Sequence, residues 1–192
     1  MSNPLVNRTA TPFNTPPFSA IKNVHFKPAI TELIEVAKAE IDVMVAQKDL
    51  PTFENTIEAL ERSGKALDRA SSIFFNLNSA ETNDEIQSIA KEISPLLTEF
   101  SNDILLNEAL FIKVKSVHDS VNPSKLNAEQ KMLLSKSYKG FVRNGALLND
   151  EQKDQLRKID VELSQLSLTF GEHVLAETNK YELVIENESD LA

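Results

Sequence analysis

Apolar residues recur at three- and four-residue steps through most of this chain, the spacing of helices that bury one face. The first run is Ile30, Leu33, Ile34, Ala37, Ile41, Met44 and Val45, with Pro28 suited to its opening turn. Thr52, after Pro51, is the expected N-cap of the next helix. From there Phe53, Ile57, Leu60, Leu67 and Phe74 form one seam of near-heptad period. Thr82-Asn-Asp-Glu85 reads as a capping box in which Thr82 caps and Glu85 reaches back. The helix it opens buries Ile86, Ile89, Ile93, Leu97, Phe100 and Ile104, and Pro95 is expected to kink or break it. A shorter helix spans residues 107 to 119, with Leu110, Phe111, Val114 and Val117 inward. Asn122-Pro123 marks a turn, and Asn127 caps a helix that stops at Asn144-Gly145. Asn149, with Gln152 three residues on, opens a final long helix. Its seam is Leu156, Ile159, Leu163, Leu166, Phe170 and Val174.

The two ends differ from this pattern. Pro4, Pro12, Pro16 and Pro17 remove backbone donors and make residues 1–22 an extended arm, pinned to the body by Phe13, Phe18 and Ile21. Tyr181-Glu-Leu-Val-Ile-Glu186 has strand character, which nothing else in the chain has. A lone strand is unstable, so the segment is either a tail packed on helices or one half of a pair. We take the second view, with the partner strand beyond Ala192. Gly64, Gly140 and Gly171 fall inside expected helices, where close helix–helix approach is the ordinary reason for them. The fold class is therefore all-α: a multi-helix, antiparallel, bundle-like array. It divides into the arm (1–22), a helical domain (23–180) and the start of a further segment (181–192).

Composition agrees with that picture. The chain has 192 residues, 41% of them hydrophobic, with four glycines and no Trp, which disfavours a sandwich or barrel. Its formal charge of -9 is spread without a basic stripe, so nucleic acid is not an expected partner. No apolar run reaches the roughly 18 residues of a membrane span. The start lacks the basic and apolar regions of a leader, which points to the cytoplasm, with the periplasm the alternative if a leader has been removed.

Candidate chemistry is sparse. There is no Cys, hence no disulfide and no thiolate ligand. A zinc peptidase needs two imidazoles four residues apart on one helical face, with a carboxylate beside the bound water. His25, His118 and His173 have no such neighbour, and Glu172-His173 would need a histidine at Thr169 to make the inverted motif. No serine elbow, phosphate loop or di-iron pattern occurs. Glu58 with Glu61, and Glu32 with Glu35, read as solvated helix faces. The sequons Asn7-Arg-Thr9 and Asn187-Glu-Ser189 carry no weight at that length. No catalytic, cofactor-binding or metal-ligating residue is assigned.

Several stretches nonetheless carry a resemblance. They are Pro16-Pro-Phe-Ser-Ala-Ile-Lys-Asn-Val-His-Phe-Lys-Pro-Ala-Ile30, Thr52-Phe-Glu-Asn-Thr-Ile-Glu-Ala-Leu-Glu-Arg-Ser-Gly64 and Ser79-Ala-Glu-Thr-Asn-Asp-Glu85. Asn107-Glu-Ala-Leu-Phe-Ile-Lys-Val-Lys115, Tyr138-Lys-Gly-Phe-Val-Arg-Asn-Gly145 and Phe170-Gly-Glu-His-Val-Leu-Ala-Glu-Thr-Asn179 continue the series. In that order they resemble the amino-terminal region of the bacterial peptidyl-dipeptidases (dipeptidyl carboxypeptidases), zinc metallopeptidases of the thimet-oligopeptidase class. Asp190-Leu-Ala192 is similar to the start of a family segment that runs on into Gly-Leu-Pro.

The resemblance implies a mostly helical, two-lobed enzyme with a deep channel, whose zinc motif lies in a later, catalytic part. It implies release of carboxy-terminal dipeptides from short peptides, or oligopeptide cleavage in close relatives. This chain would form one wall of the channel, bind no zinc and be inactive alone. Its expected partners are the catalytic lobe and, through the whole enzyme, short peptides. Faces meant for that lobe would leave an apolar patch or drive self-association. The alternative is a freestanding helical interaction module, which periodicity and caps fit equally well.

Overall fold

The computed structural model describes residues 3–7, 11–187 and 189. Among these the α-helices are α1 (Phe26–Ala46), α2 (Ala59–Arg62), α3 (Lys65–Ala80), α4 (Asp84–Leu105), α5 (Glu108–Ser120), α6 (Ala128–Arg143) and α7 (Asp150–Lys180), and no strand is present. The all-α class is as expected. Arg8, Thr9, Glu188 and Asp190 to Ala192 lie outside the described residues, so both sequons and the closing family-like segment are only partly described.

Two apolar cores share α1. Its first half contributes Phe26, Ile30, Leu33 and Ile34 to a core closed by α3 and the start of α4, where Phe26 meets Phe74 edge-on at 5.0 Å. Its second half gives Ile41 and Met44 to another core, built with Phe53, Ile57, α5 and α6. There Phe111 stacks on Phe141 at 5.9 Å. All six apolar residues expected inward from Ile30 to Met44 are buried. α7 packs mainly along α4, on the outside of this body.

The seam drawn from Phe53 to Phe74 does not run along one helix. Phe53–Glu58 form a π-type turn capped by Thr52, whose Oγ1 accepts from Asn55 N at 3.2 Å. α2 follows, and the chain then bends at Gly64, which adopts φ +69°. Gly64 N donates to Glu40 Oε2 at 2.8 Å, tying the corner to α1. Phe53 and Ile57 consequently serve one core, while Leu67 and Phe74 serve the other. The left-handed φ, not a close helix contact, explains Gly64. A Cβ at Gly140 or Gly171 would meet nothing within 4 Å, so close approach does not explain those glycines either.

Other expectations are also corrected. α4 is capped by Asn83, not Thr82: Asn83 is extended and its Oδ1 accepts from Ile86 N at 3.1 Å. Asn caps at least as well as Thr, and Glu85, cast as the reciprocal partner, instead accepts from Asn23 Nδ2 at 2.7 Å. Of the kink or break expected at Pro95, the break does not occur, since α4 runs from Asp84 to Leu105. Packing of Ile86, Ala90 and Ile93 before it and Asn102 after it outweighs one lost backbone bond. The arm is anchored by Leu5, which is buried, with Val6 and Ile21 beside it; Phe13 is 97% exposed and Phe18 is also exposed. Asn3 Nδ2 donates to His25 O at 2.8 Å and fastens the arm to the start of α1. Tyr181 to Glu186 are exposed and outside any helix, with no ladder among the described residues.

Candidate functional site

The three histidines stand on separate elements. His25 ends a short 3₁₀ turn, where its Nδ1 accepts from Lys22 N at 3.0 Å. His118, on α5, stacks on Tyr138 with centroids 3.9 Å apart and lies 3.0 Å from Asp119 Oδ1. His173 is exposed on α7. No three His, Asp or Glu side chains among the described residues gather in a way that could hold a metal ion. A zinc site of the peptidase kind needs at least two imidazoles and a carboxylate converging. The residues present do not fit that group.

Some carboxylates form surface ion pairs. Glu58 takes Arg62 at 3.1 Å, and Glu35 sits 3.8 Å from Lys38. The Lys115 ammonium bonded to Asp119, and then His118, hold its carboxyl below the ordinary value. Lys115 is raised in turn by Asp119. Both side chains are half-exposed, which makes this a local surface pair.

What the fold does present is α7. It is 31 residues long and none of them is buried. Lys91 binds Glu172 at 2.8 Å, and Asp103 bridges Arg157 at 2.8 Å and Lys38 at 3.3 Å, which fixes α7 on α4 and α4 on α1. Such half-exposed pairs contribute little energy each, but they set the lateral position. Val161, Ser164 and Leu168 lie toward the body, half-buried, and Leu168 packs on the first core.

Of the seam expected to be buried, Leu156 is half-buried beside Gly145, while the rest faces the other way. Leu163 is 54% exposed, Leu166 56% and Phe170 71%, with Ile159 and Val174 also exposed. More than half of the exposed large apolar side chains of the described residues lie between 159 and 185. Completing the burial of each half-covered Leu or Phe would contribute about 1 kcal/mol. Isolated exposed apolar residues are ordinary, but a ridge of them on one face of a helix is not.

A trough runs beside the ridge, made of two cavities of about 330 Å³ and about 470 Å³ that meet at Ser167. α3, α4 and α7 line it, largely with Ser, Thr and Asn side chains between apolar ones. Asn102 lines the larger cavity; the residue is 5% exposed and its Nδ2 has no hydrogen-bond partner. The opposite flank of α7 is charged, with Lys158 and Glu162 beside Glu99 and Asp103. The sequence pattern identified the ridge residues but not their direction.

The N-terminal domain model of the neurolysin/thimet oligopeptidase family matches residues 30–153. The chain belongs to this family. Over 191 residues it is 35% identical to the dipeptidyl carboxypeptidase of Salmonella typhimurium, and over 190 residues 35% identical to that of Escherichia coli. It is 32% identical over 192 residues to oligopeptidase A of Haemophilus influenzae. Each comparison covers 99–100% of this chain and 28% of the relative, so the chain spans little more than a quarter of their length. The matched neurolysin/thimet oligopeptidase domain runs from α1 into the start of α7 and ends before the exposed ridge begins. No helix is long and apolar enough to cross a membrane among the described residues.

Proposed function

We propose that this chain is the N-terminal helical part of a zinc peptidase that releases carboxy-terminal dipeptides from short peptides. It forms one wall of the substrate channel, excludes folded proteins by size and does no chemistry alone. One observation carries the reading: the likeness to peptidases runs end to end through this chain yet spans 28% of their length. The 35% identity to dipeptidyl carboxypeptidases, against 32% or less to the oligopeptidases A, favours dipeptide release. Zinc belongs to the other part, where it would polarise the scissile carbonyl and activate water. The arm and helices act as one unit to residue 180, and 181–192 open the next segment, whose strand pairs further on. The cytoplasm is the proposed compartment. The reading as a freestanding module rests on periodicity and caps, which any helical domain shares.

The test is turnover. The longer polypeptide containing this chain should release dipeptides from the free carboxyl ends of short peptides. Chelation should abolish that activity and zinc should restore it, while these 192 residues alone release nothing. A folded, zinc-loaded longer polypeptide without peptidase activity would overturn the proposal.

A further inference from the structure

We propose that the ridge and trough of α7 are the seat of the polypeptide that continues past residue 192, laid lengthwise along this helix as an apolar segment. This rests on the reading of the chain as one part of a longer peptidase, and it names the surface through which the two parts join.

The periodicity of the ridge is the first support. Leu163, Leu166, Phe170 and Val174 are spaced by three and four residues, so they project together, and all are exposed. A 31-residue helix with no buried residue has one partner where its pattern provides for two. The trough is the second. Asn102 is buried there with an unpaired Nδ2, and a buried donor is normally paired. The Ser, Thr and Asn side chains that line the trough offer donors and acceptors to a backbone laid along it.

The path of the chain is the third support. After Lys180 it leaves α7 in extended form, with Tyr181, Leu183 and Val184 exposed. Sequence that follows therefore starts at one end of the ridge, and the relatives are more than three times as long as this chain. A second copy set ridge to ridge would leave the trough open, because the trough lies to one side of α7. The charged flank with Lys158 and Glu162 sets the other edge, so the occupant sits over the ridge on the trough side.

These 192 residues contain no cysteine, so an introduced thiol is the only one in this part of the polypeptide. Leu166→Cys, Phe170→Cys and Lys158→Cys are placed one at a time in the longer polypeptide. Alkylation by N-ethylmaleimide is followed at each site by peptide mass spectrometry, native against urea-unfolded, over a range of protein concentrations. Cysteines at 166 and 170 should react at least about tenfold more slowly in the native protein at every concentration, because they open only by local unfolding. The one at 158 should change by less than about threefold, as expected of a surface site. Unprotected cysteines at 166 and 170 would overturn the proposal. So would protection that disappears on dilution, which assigns the face to a second copy, and protection at 158 equal to that at 170. Peptidase activity measured on the same samples separates the two ideas: an active enzyme with an open ridge sinks the docking surface and leaves the function standing, and a protected ridge without activity does the reverse.

Discussion

At Gly145 the backbone takes φ +95°, and a Cβ there would lie 2.7 Å from Leu156 Cδ2 and 3.0 Å from Leu148 Cδ1. At Gly171, in the middle of α7, a Cβ would meet nothing within 4 Å. The same substitution should therefore have opposite signs. Gly145→Ala should cost about 1–3 kcal/mol through backbone strain and overlap. Gly171→Ala should stabilise by about 0.5–1 kcal/mol, the helix preference of Ala over Gly. Urea midpoints of the two variants check this, and a shift of the same sign in both would contradict it. Residue-level features were legible wherever the chemistry is local. Asn149 with Gln152 forms the reciprocal cap its spacing announces, and Asn127 caps α6 as expected, with Gln130 as a partner the reading did not name. Thr82 was misread because the next residue, Asn83, is an equally good cap and the pattern cannot choose between neighbours. The role of Gly64 depends on the direction in which the chain leaves a corner, which is not a local property.

Among the elements, helix existence and helix faces were readable, while partners were not. In α1 the apolar stripe is the buried stripe, since the helix is flanked by elements of both cores. α7 carries two stripes, and the richer one, through Leu163, Leu166 and Phe170, points away from the body. Periodicity says which residues share a face and not which face meets a neighbour. Pro95 teaches a related lesson, because tertiary packing on either side held together a helix that local preference would have interrupted. Two neighbouring leucines make the orientation of α7 testable. Leu168→Ala should destabilise these 192 residues by about 1–2 kcal/mol, since Leu168 is half-buried on the first core. Leu166→Ala should change their stability by less than about 0.5 kcal/mol, as at other surface sites. A larger loss at Leu166 than at Leu168, read from urea denaturation, would mean that α7 is turned the other way.

For the molecule as a whole, class and family were readable because many spaced matches accumulate over 192 residues. Chemistry was not, because the three histidines serve a turn, an aromatic stack and an open helix face, and do not form a site. As proposed above, these helices are one part of a peptidase, joined to the rest along α7. The most direct measurement is the intact mass and metal content of the protein isolated from its native source. The expected result is a polypeptide several times heavier than 21.4 kDa, carrying about one zinc ion in a site built elsewhere. A stable native species of 21.4 kDa, with no longer form, would contradict it.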